Sequence, residues 1–235
     1  MTRRRLVILL VGSFAGIAVA LFNPVNSFAL RLLFLFGIAG IFLSLFALAR
    51  PLKGVRTGLI VLLVVSIAPL LLPSREFEKH LVREDYLQRL KQFVDVPYHW
   101  GGENSNGIDC SGLPRKALRD ALFWHGLKTA NGKPIRYAIS QWWNDASAKA
   151  ISEGYRAYAS RLDTEGSIIK MSYNGLERGD LAVSIGGAHV NVYLGNEKWI
   201  EAAPEVGHVA IFDRRKDDNR WLKIAVTTHR WNVLQ

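Results

Sequence analysis

The chain has 235 residues, a formal net charge of +10 and a single cysteine. That length allows one enzyme domain and a small accessory module, and one cysteine excludes an intramolecular disulfide or a Cys-rich metal site. The charge is uneven: residues 1–73 hold seven basic residues and no acidic one, while the other 23 basic residues face 20 acidic ones. The excess surrounds apolar runs, and no basic stripe with interleaved aromatics follows residue 74, so a membrane explains it better than nucleic acid does.

Three apolar stretches, 6–22, 28–49 and 58–72, make residues 1–73 a membrane module. A spanning helix needs about 20 largely apolar residues, with a lower limit near 17, so two stretches qualify and the third is marginal. Arg3, Arg4 and Arg5 precede the first span, and Arg50, Lys53 and Arg56 separate the second from the third. Basic clusters mark cytoplasmic loops, so three spans deliver everything after Ser74 to the outer side. A cleaved signal peptide ending near Ala18-Val19-Ala20 is the competing reading, and it leaves two spans and the same side.

Residues 74–84 form a linker, with a linker helix beginning near 76–85, and residues 85–235 form the soluble domain. Tyr86, Leu87, Leu90, Phe93 and Val94 recur at helical spacing and predict a helix over 85–94, ended by Val96-Pro97. A loop rich in Gly, Asn and Ser over 101–107 follows. Leu113, Ala117, Leu118, Ala121 and Leu122 then predict a helix starting at Cys110, in which Pro114 costs one backbone hydrogen bond just past the first turn. Asn131-Gly132 predicts a turn, and residues 139–159 one long helix or two shorter ones. Five short β-rich runs follow: 181–185, 189–194, 198–202, 209–213 and 221–228. Helices first and consecutive strands afterwards argue for an α+β domain with an antiparallel sheet.

The sharpest chemical signal is Asp109-Cys110-Ser111-Gly112. Asp109 can cap the following helix, and a thiol in the first turn feels unsatisfied N–H groups and a partial positive charge that favour the thiolate. An inert buried cysteine is the bland alternative, and the turn-rich approach and helix-start position argue against it. A thiolate nucleophile needs a base. Of the six histidines, His189 is best placed, because Gly186-Gly187-Ala188 leads into it at a strand start, with Asn191 and Tyr193 on the same face. Glu201, on the next strand beyond a Gly195-Asn196 hairpin, is the candidate to orient the imidazole, and Asn191 is its competitor.

These residues resemble the NlpC-type cell-wall peptidases, a bacterial family of papain-like fold. The resemblance rests on Val96-Pro97-Tyr98-His99-Trp100-Gly101-Gly102 and Gly107-Ile108-Asp109-Cys110-Ser111-Gly112-Leu113. It continues through Arg178-Gly179-Asp180-Leu181, residues 189–195 and Trp199-Ile200-Glu201-Ala202, in the family's order. It implies Cys110 as nucleophile, His189 as base and a polar orienter at Glu201, where the family most often has His. It also implies that Tyr98 and Ser111 line the site near the oxyanion, and Asp109, Trp100 and Asn191 are the candidate substrate contacts. Residues 127–177 exceed the family's usual connection and are expected to form an extra helical cap over the cleft.

The resemblance thus implies hydrolysis of an amide in peptidoglycan stem peptides, usually between D-γ-glutamyl and a diamino acid, needing no metal or cofactor. Two other classes compete. One is acyl transfer on another envelope or lipid-linked substrate, which product analysis separates. The other is a wall-peptide-binding module, in which Cys110→Ala leaves function intact.

Overall fold

The computed structural model describes residues 2–235. Three helices come first, α1 (Arg3–Phe22), α2 (Phe28–Leu48) and α3 (Lys53–Leu71), each long and apolar enough to cross a membrane. α1 and α2 form a hairpin closed by small residues. A Cβ on Gly37 would lie 2.6 Å from Ile17 Cγ1, and one on Gly40 would strike Ser13 Oγ. Close backbone approach of this kind holds helices together where the surroundings are as apolar as the helices. α3 buries none of its residues and touches α2 where the Arg56 guanidinium lies 4.3 Å over the Phe46 ring.

A single helix, α4 (Lys79–Gln92), replaces the expected linker helix and the helix over 85–94. Val82, Tyr86, Leu87 and Leu90 form its buried stripe, so the apolar face starts one turn earlier than Tyr86. A hairpin, β1 (Glu103–Asn104) and β2 (Gly107–Ile108), precedes α5 (Gly112–Lys128). Because α5 starts at Gly112 rather than Cys110, Pro114 sits within its first turn. Its missing N–H is an orphan there, so the expected loss of a hydrogen bond does not arise.

The rest of the domain is α6 (Gly132–Trp143), α7 (Ala148–Ser152), β3 (Ala159–Ser167), β4 (Leu181–Ser184), β5 (Val190–Gly195), β6 (Lys198–Ala202), β7 (Val209–Asp213), α8 (Arg220–Lys223) and β8 (Ala225–Trp231). Six strands pair antiparallel in the order β3-β8-β4-β5-β6-β7, which is the α+β class expected. Alternation along the strands separates two faces. Leu181, Val183, Val190, Val192 and Ile200 pack with the buried stripes of α4 and α5, and Ala182, Tyr193, Trp199 and Val226 pack on Ile168, Met171 and Leu222.

Three expectations are corrected. Asn131-Gly132 is a helix start, since the Asn131 side chain accepts from Lys133 N, 3.0 Å, and caps α6. The run over 221–228 divides into α8 and β8. Residues 127–177 are helical only in their first half, because β3 and a loop make up the second. β3 escaped notice because it is an edge strand with Arg161, Asp163 and Glu165 facing solvent, a charge pattern that protects an edge and hides its apolar period.

α6 is not a lid over the domain but a strut across the apolar helices. At its start, Gly132 N donates to Pro73 O, 3.0 Å, and Arg136 Nη1 donates to Leu70 O and Leu72 O, each 2.8 Å. At its end, Trp143 and Trp142 meet Phe28 and Phe34 of α2 edge-on, with ring centroids 5.5 and 6.3 Å apart. The β1–β2 hairpin makes a third attachment, to the α1–α2 loop. Glu103 N donates to Pro24 O, 2.8 Å, Asn104 Nδ2 to Asn23 O, 2.6 Å, and Asn106 Nδ2 to Phe22 O, 2.9 Å.

Candidate active site

The turn before α5 is organised by Asp109. Its Oδ1 accepts from the N–H groups of Ser111, 2.9 Å, and Gly112, 2.5 Å, and from Ser111 Oγ, 3.0 Å, while Oδ2 accepts from Gly101 N, 2.9 Å. Asp109 thus ties down the turn that leads into α5, whose N-cap position is Ser111, and that role commits its carboxylate. Gly112 is required there, since a Cβ would run into the carbonyl of Gly102.

Cys110 is buried. Its Sγ lies 4.0 Å from the carbonyl oxygen of Ala188 and near the N–H of Val190, so the thiol abuts the backbone on both sides of His189. Burial, with the Asp109 carboxylate, pushes the thiol up to about 12, against the opposing N–H groups of Val190 and Ser111. α5 begins two residues after Cys110, so the sulfur does not sit in the helix's first turn as expected.

His189 immediately precedes β5, and its Nε2 lies 2.8 Å from Glu201 Oε2 on the neighbouring strand β6. A carboxylate only accepts, so Nε2 carries the proton and Nδ1 is the ring nitrogen with the lone pair. Both side chains are buried. Two residues that sequence reasoning missed complete the arrangement. Asn219 Nδ2 donates to Glu201 Oε1, 2.6 Å, and Asn219 Oδ1 caps α8 through Trp221 N, 2.8 Å. The Trp221 ring stacks on His189, centroids 4.1 Å apart and 17° from parallel. Asn191, the competitor of Glu201, is buried, and its Oδ1 has no hydrogen-bond partner among the described residues, so it does not accept from the imidazole.

A cleft of about 310 Å³ opens beside the thiol, lined by Tyr98, Trp100, Ser111, Arg115, Asp145 and Gly187 among others. Trp100 is 79% exposed on its rim. The Ser111 and Gly112 N–H groups are occupied by Asp109, whereas the Cys110 N–H has no acceptor among the described residues. Burial, then the proximity of Cys110 and Asp109, raises the Tyr98 hydroxyl to about 12, which keeps it a donor. These two donors are what the site offers to a developing oxyanion. Among the described residues no three His, Cys, Asp or Glu side chains cluster as metal ligands would. Of the expected cap over 127–177, only 145–148 flanks the cleft.

The model of the NlpC/P60 family matches residues 95–227. Dipeptidyl-peptidase 6 from Lysinibacillus sphaericus is 37% identical over 62 residues, which are 26% of this chain and 23% of that protein, so the chain matches about a quarter of its length. Among solved structures, the peptidoglycan hydrolase RipB from Mycobacterium tuberculosis is 20% identical, covering 78% of this chain and 88% of that one with a TM-score of 0.40. NlpC1 from Trichomonas vaginalis is 17% identical, covering 67% of this chain and 46% of that one with a TM-score of 0.43. With the family model matched over more than half of the sequence, in the segment that carries the thiol, the imidazole and their partners, this chain belongs to the NlpC/P60 family.

Proposed function

We propose that this protein is a membrane-anchored cysteine peptidase that hydrolyses an amide in peptidoglycan stem peptides, most simply the bond between D-γ-glutamyl and a diamino acid. The observation that carries the reading is the set Cys110, His189, Glu201: a thiol against the backbone carbonyl of Ala188, next to a histidine whose Nε2 is held by a buried carboxylate 2.8 Å away. The family match and the names of the similar proteins supply the substrate class.

In the reaction, His189 Nδ1 takes the Cys110 proton as sulfur attacks the amide carbonyl, and the imidazolium forms beside Glu201. The Cys110 N–H and the Tyr98 hydroxyl donate to the oxyanion. Its collapse expels the amine, which leaves with the proton from His189, and a thioester remains. Water, giving a proton back to His189, hydrolyses the thioester to a carboxylic acid and the thiol returns.

Three helices each able to cross a membrane support the anchor. The α1–α2 loop and the end of α3 both touch the catalytic domain. Arg3, Arg4 and Arg5 lie at the opposite end, as do Arg50, Lys53 and Arg56. Basic ends inside leave the domain outside. The test is digestion of purified muropeptides by the full chain in detergent, wild type against Cys110→Ala, with products weighed by mass spectrometry. New free amine and carboxylate ends from the wild type alone are expected; equal products from both proteins would remove the enzyme reading, and transfer products would point to acyl transfer.

A further inference from the structure

The place of the cleft relative to the apolar helices bears on which peptides can enter it. α2 has 21 residues, about 31 Å at 1.5 Å per residue, the thickness of a bilayer's hydrocarbon core. Arg31 is three residues, about 4.5 Å, inside the end of α2 that meets the catalytic domain. Its Nη2 pairs with Asp145 Oδ1 at 2.8 Å, and Asp145 lines the cleft with Cys110. Gly101, on the opposite wall, lies against Val25 of the α1–α2 loop, where a Cβ would be 3.6 Å from Val25 Cγ1. The cleft is thus bounded by residues in contact with the membrane ends of α1 and α2. The headgroup layer is only about 5–7 Å deep on each side, so the scissile bond must reach that level. Trp100, exposed on the rim, is the kind of side chain that lodges there.

Nor can the domain rise to a distant substrate. The three attachments, at the α3 exit, along α2 and at the α1–α2 loop, tie the domain to the same end of all three apolar helices. A buried charged cluster locks the third: Glu103, 3% exposed, accepts from Asn26 of the loop and pairs with Arg115, 3.1 Å, and Arg119, 2.8 Å, on α5.

From this geometry we propose that the preferred substrate is a peptide carried on a membrane lipid, cut at headgroup level, rather than a peptide of the assembled wall. The proposal rests on the peptidase and membrane readings above. A rigid polymer would have to descend to the lipid surface, whereas a lipid-borne peptide is already there.

The test uses the full chain in vesicles of phosphatidylcholine and phosphatidylglycerol, with one fluorogenic stem peptide in three forms. It is free, or coupled to a phosphatidylethanolamine headgroup through a spacer of about 10 Å or of about 100 Å, lengths chosen against the headgroup depth. Confinement to the membrane favours both tethered forms alike, so their ratio reports the height of the cleft. The short-tethered peptide should be cut at least as fast as the long-tethered one, and both at least tenfold faster than the free one. A short-tethered peptide cut tenfold more slowly than the long-tethered one, or a free peptide cut as fast as either, would overturn the proposal alone. No cleavage of any form would overturn the peptidase reading and this proposal with it.

Discussion

Glu201 is the residue on which the proposed catalytic arrangement turns, because it accepts on both oxygens. Oε2 takes the His189 Nε2 proton and Oε1 takes the Asn219 amide. A glutamine at position 201 can accept only once, and its NH2 then faces a donor. If Asn219 turned to present Oδ1 instead, it would surrender the α8 cap and loosen the Trp221 ring stacked on the imidazole. Glu201→Gln is therefore expected to lower kcat by about 10²-fold or more, since the imidazolium loses its counter-charge, and to lower the melting temperature. Glu201→Gln combined with Asn219→Asp restores every hydrogen bond, because the carboxylate introduced at position 219 can accept from both the amide introduced at position 201 and Trp221 N. The double variant should regain the melting temperature but not kcat. Recovery of kcat there would mean that orientation alone, not charge, is what Glu201 supplies. Cys110, His189 and Glu201 were legible in the sequence because glycine-rich approaches and strand alternation mark them. Asn219 and Trp221 were not, since a four-residue helix has too little periodicity to separate it from the strand that follows.

Among the elements, α6 shows how a local signal can be right about punctuation and wrong about direction. Asn-Gly suits a turn, yet here Asn131 caps a helix and closes a second loop. Its Oδ1 also accepts from Arg75 N, 3.1 Å, and its Nδ2 donates to Arg75 O, 2.9 Å. The partner is 56 residues away, and no window of sequence reports it. Asn131→Ala removes a cap and two further hydrogen bonds from a buried position, at a cost of about 2 kcal/mol. Denaturant titration followed by tryptophan fluorescence should show that loss, whereas a change below about 0.5 kcal/mol, the ordinary scatter of surface substitutions, would mean that α6 is held by its contacts with α2 and α3. β3 and the six-strand order illustrate the converse: five strands carried an apolar period, and the charged edge strand had none to offer.

At the scale of the whole molecule, the three apolar helices and the NlpC/P60 domain were each legible, but the joint between them was not. It is built from Asn23, Asn26, Asn104, Asn106 and Glu103, polar loop residues without period, whose pairing is non-local. Glu103 sets how the joint responds to acid. Burial would raise its carboxyl, but Arg119 and Arg115 outweigh burial and hold it at about 2, below the ordinary 4.5. A depressed carboxyl gives stability that is fully present above about pH 4.5 and is lost as pH falls toward 2, in all about 3 kcal/mol for this shift. His229, pushed down to about 4 from 6.5 by burial and then Arg161, acts in the same direction at higher pH, so stability should fall in two stages, between 6.5 and 4 and again below 4.5. Glu103→Gln separates them. It should destabilise the neutral protein by about 3–5 kcal/mol, because two buried guanidiniums lose their shared carboxylate, and it should shrink the lower stage, to which Asp213, also held at about 2 by Arg215, still contributes, while leaving the upper one. Thermal midpoints of both proteins across about pH 2–8 measure this directly. A lower stage of undiminished size in the variant would place the main acid-sensitive contact elsewhere than at the joint.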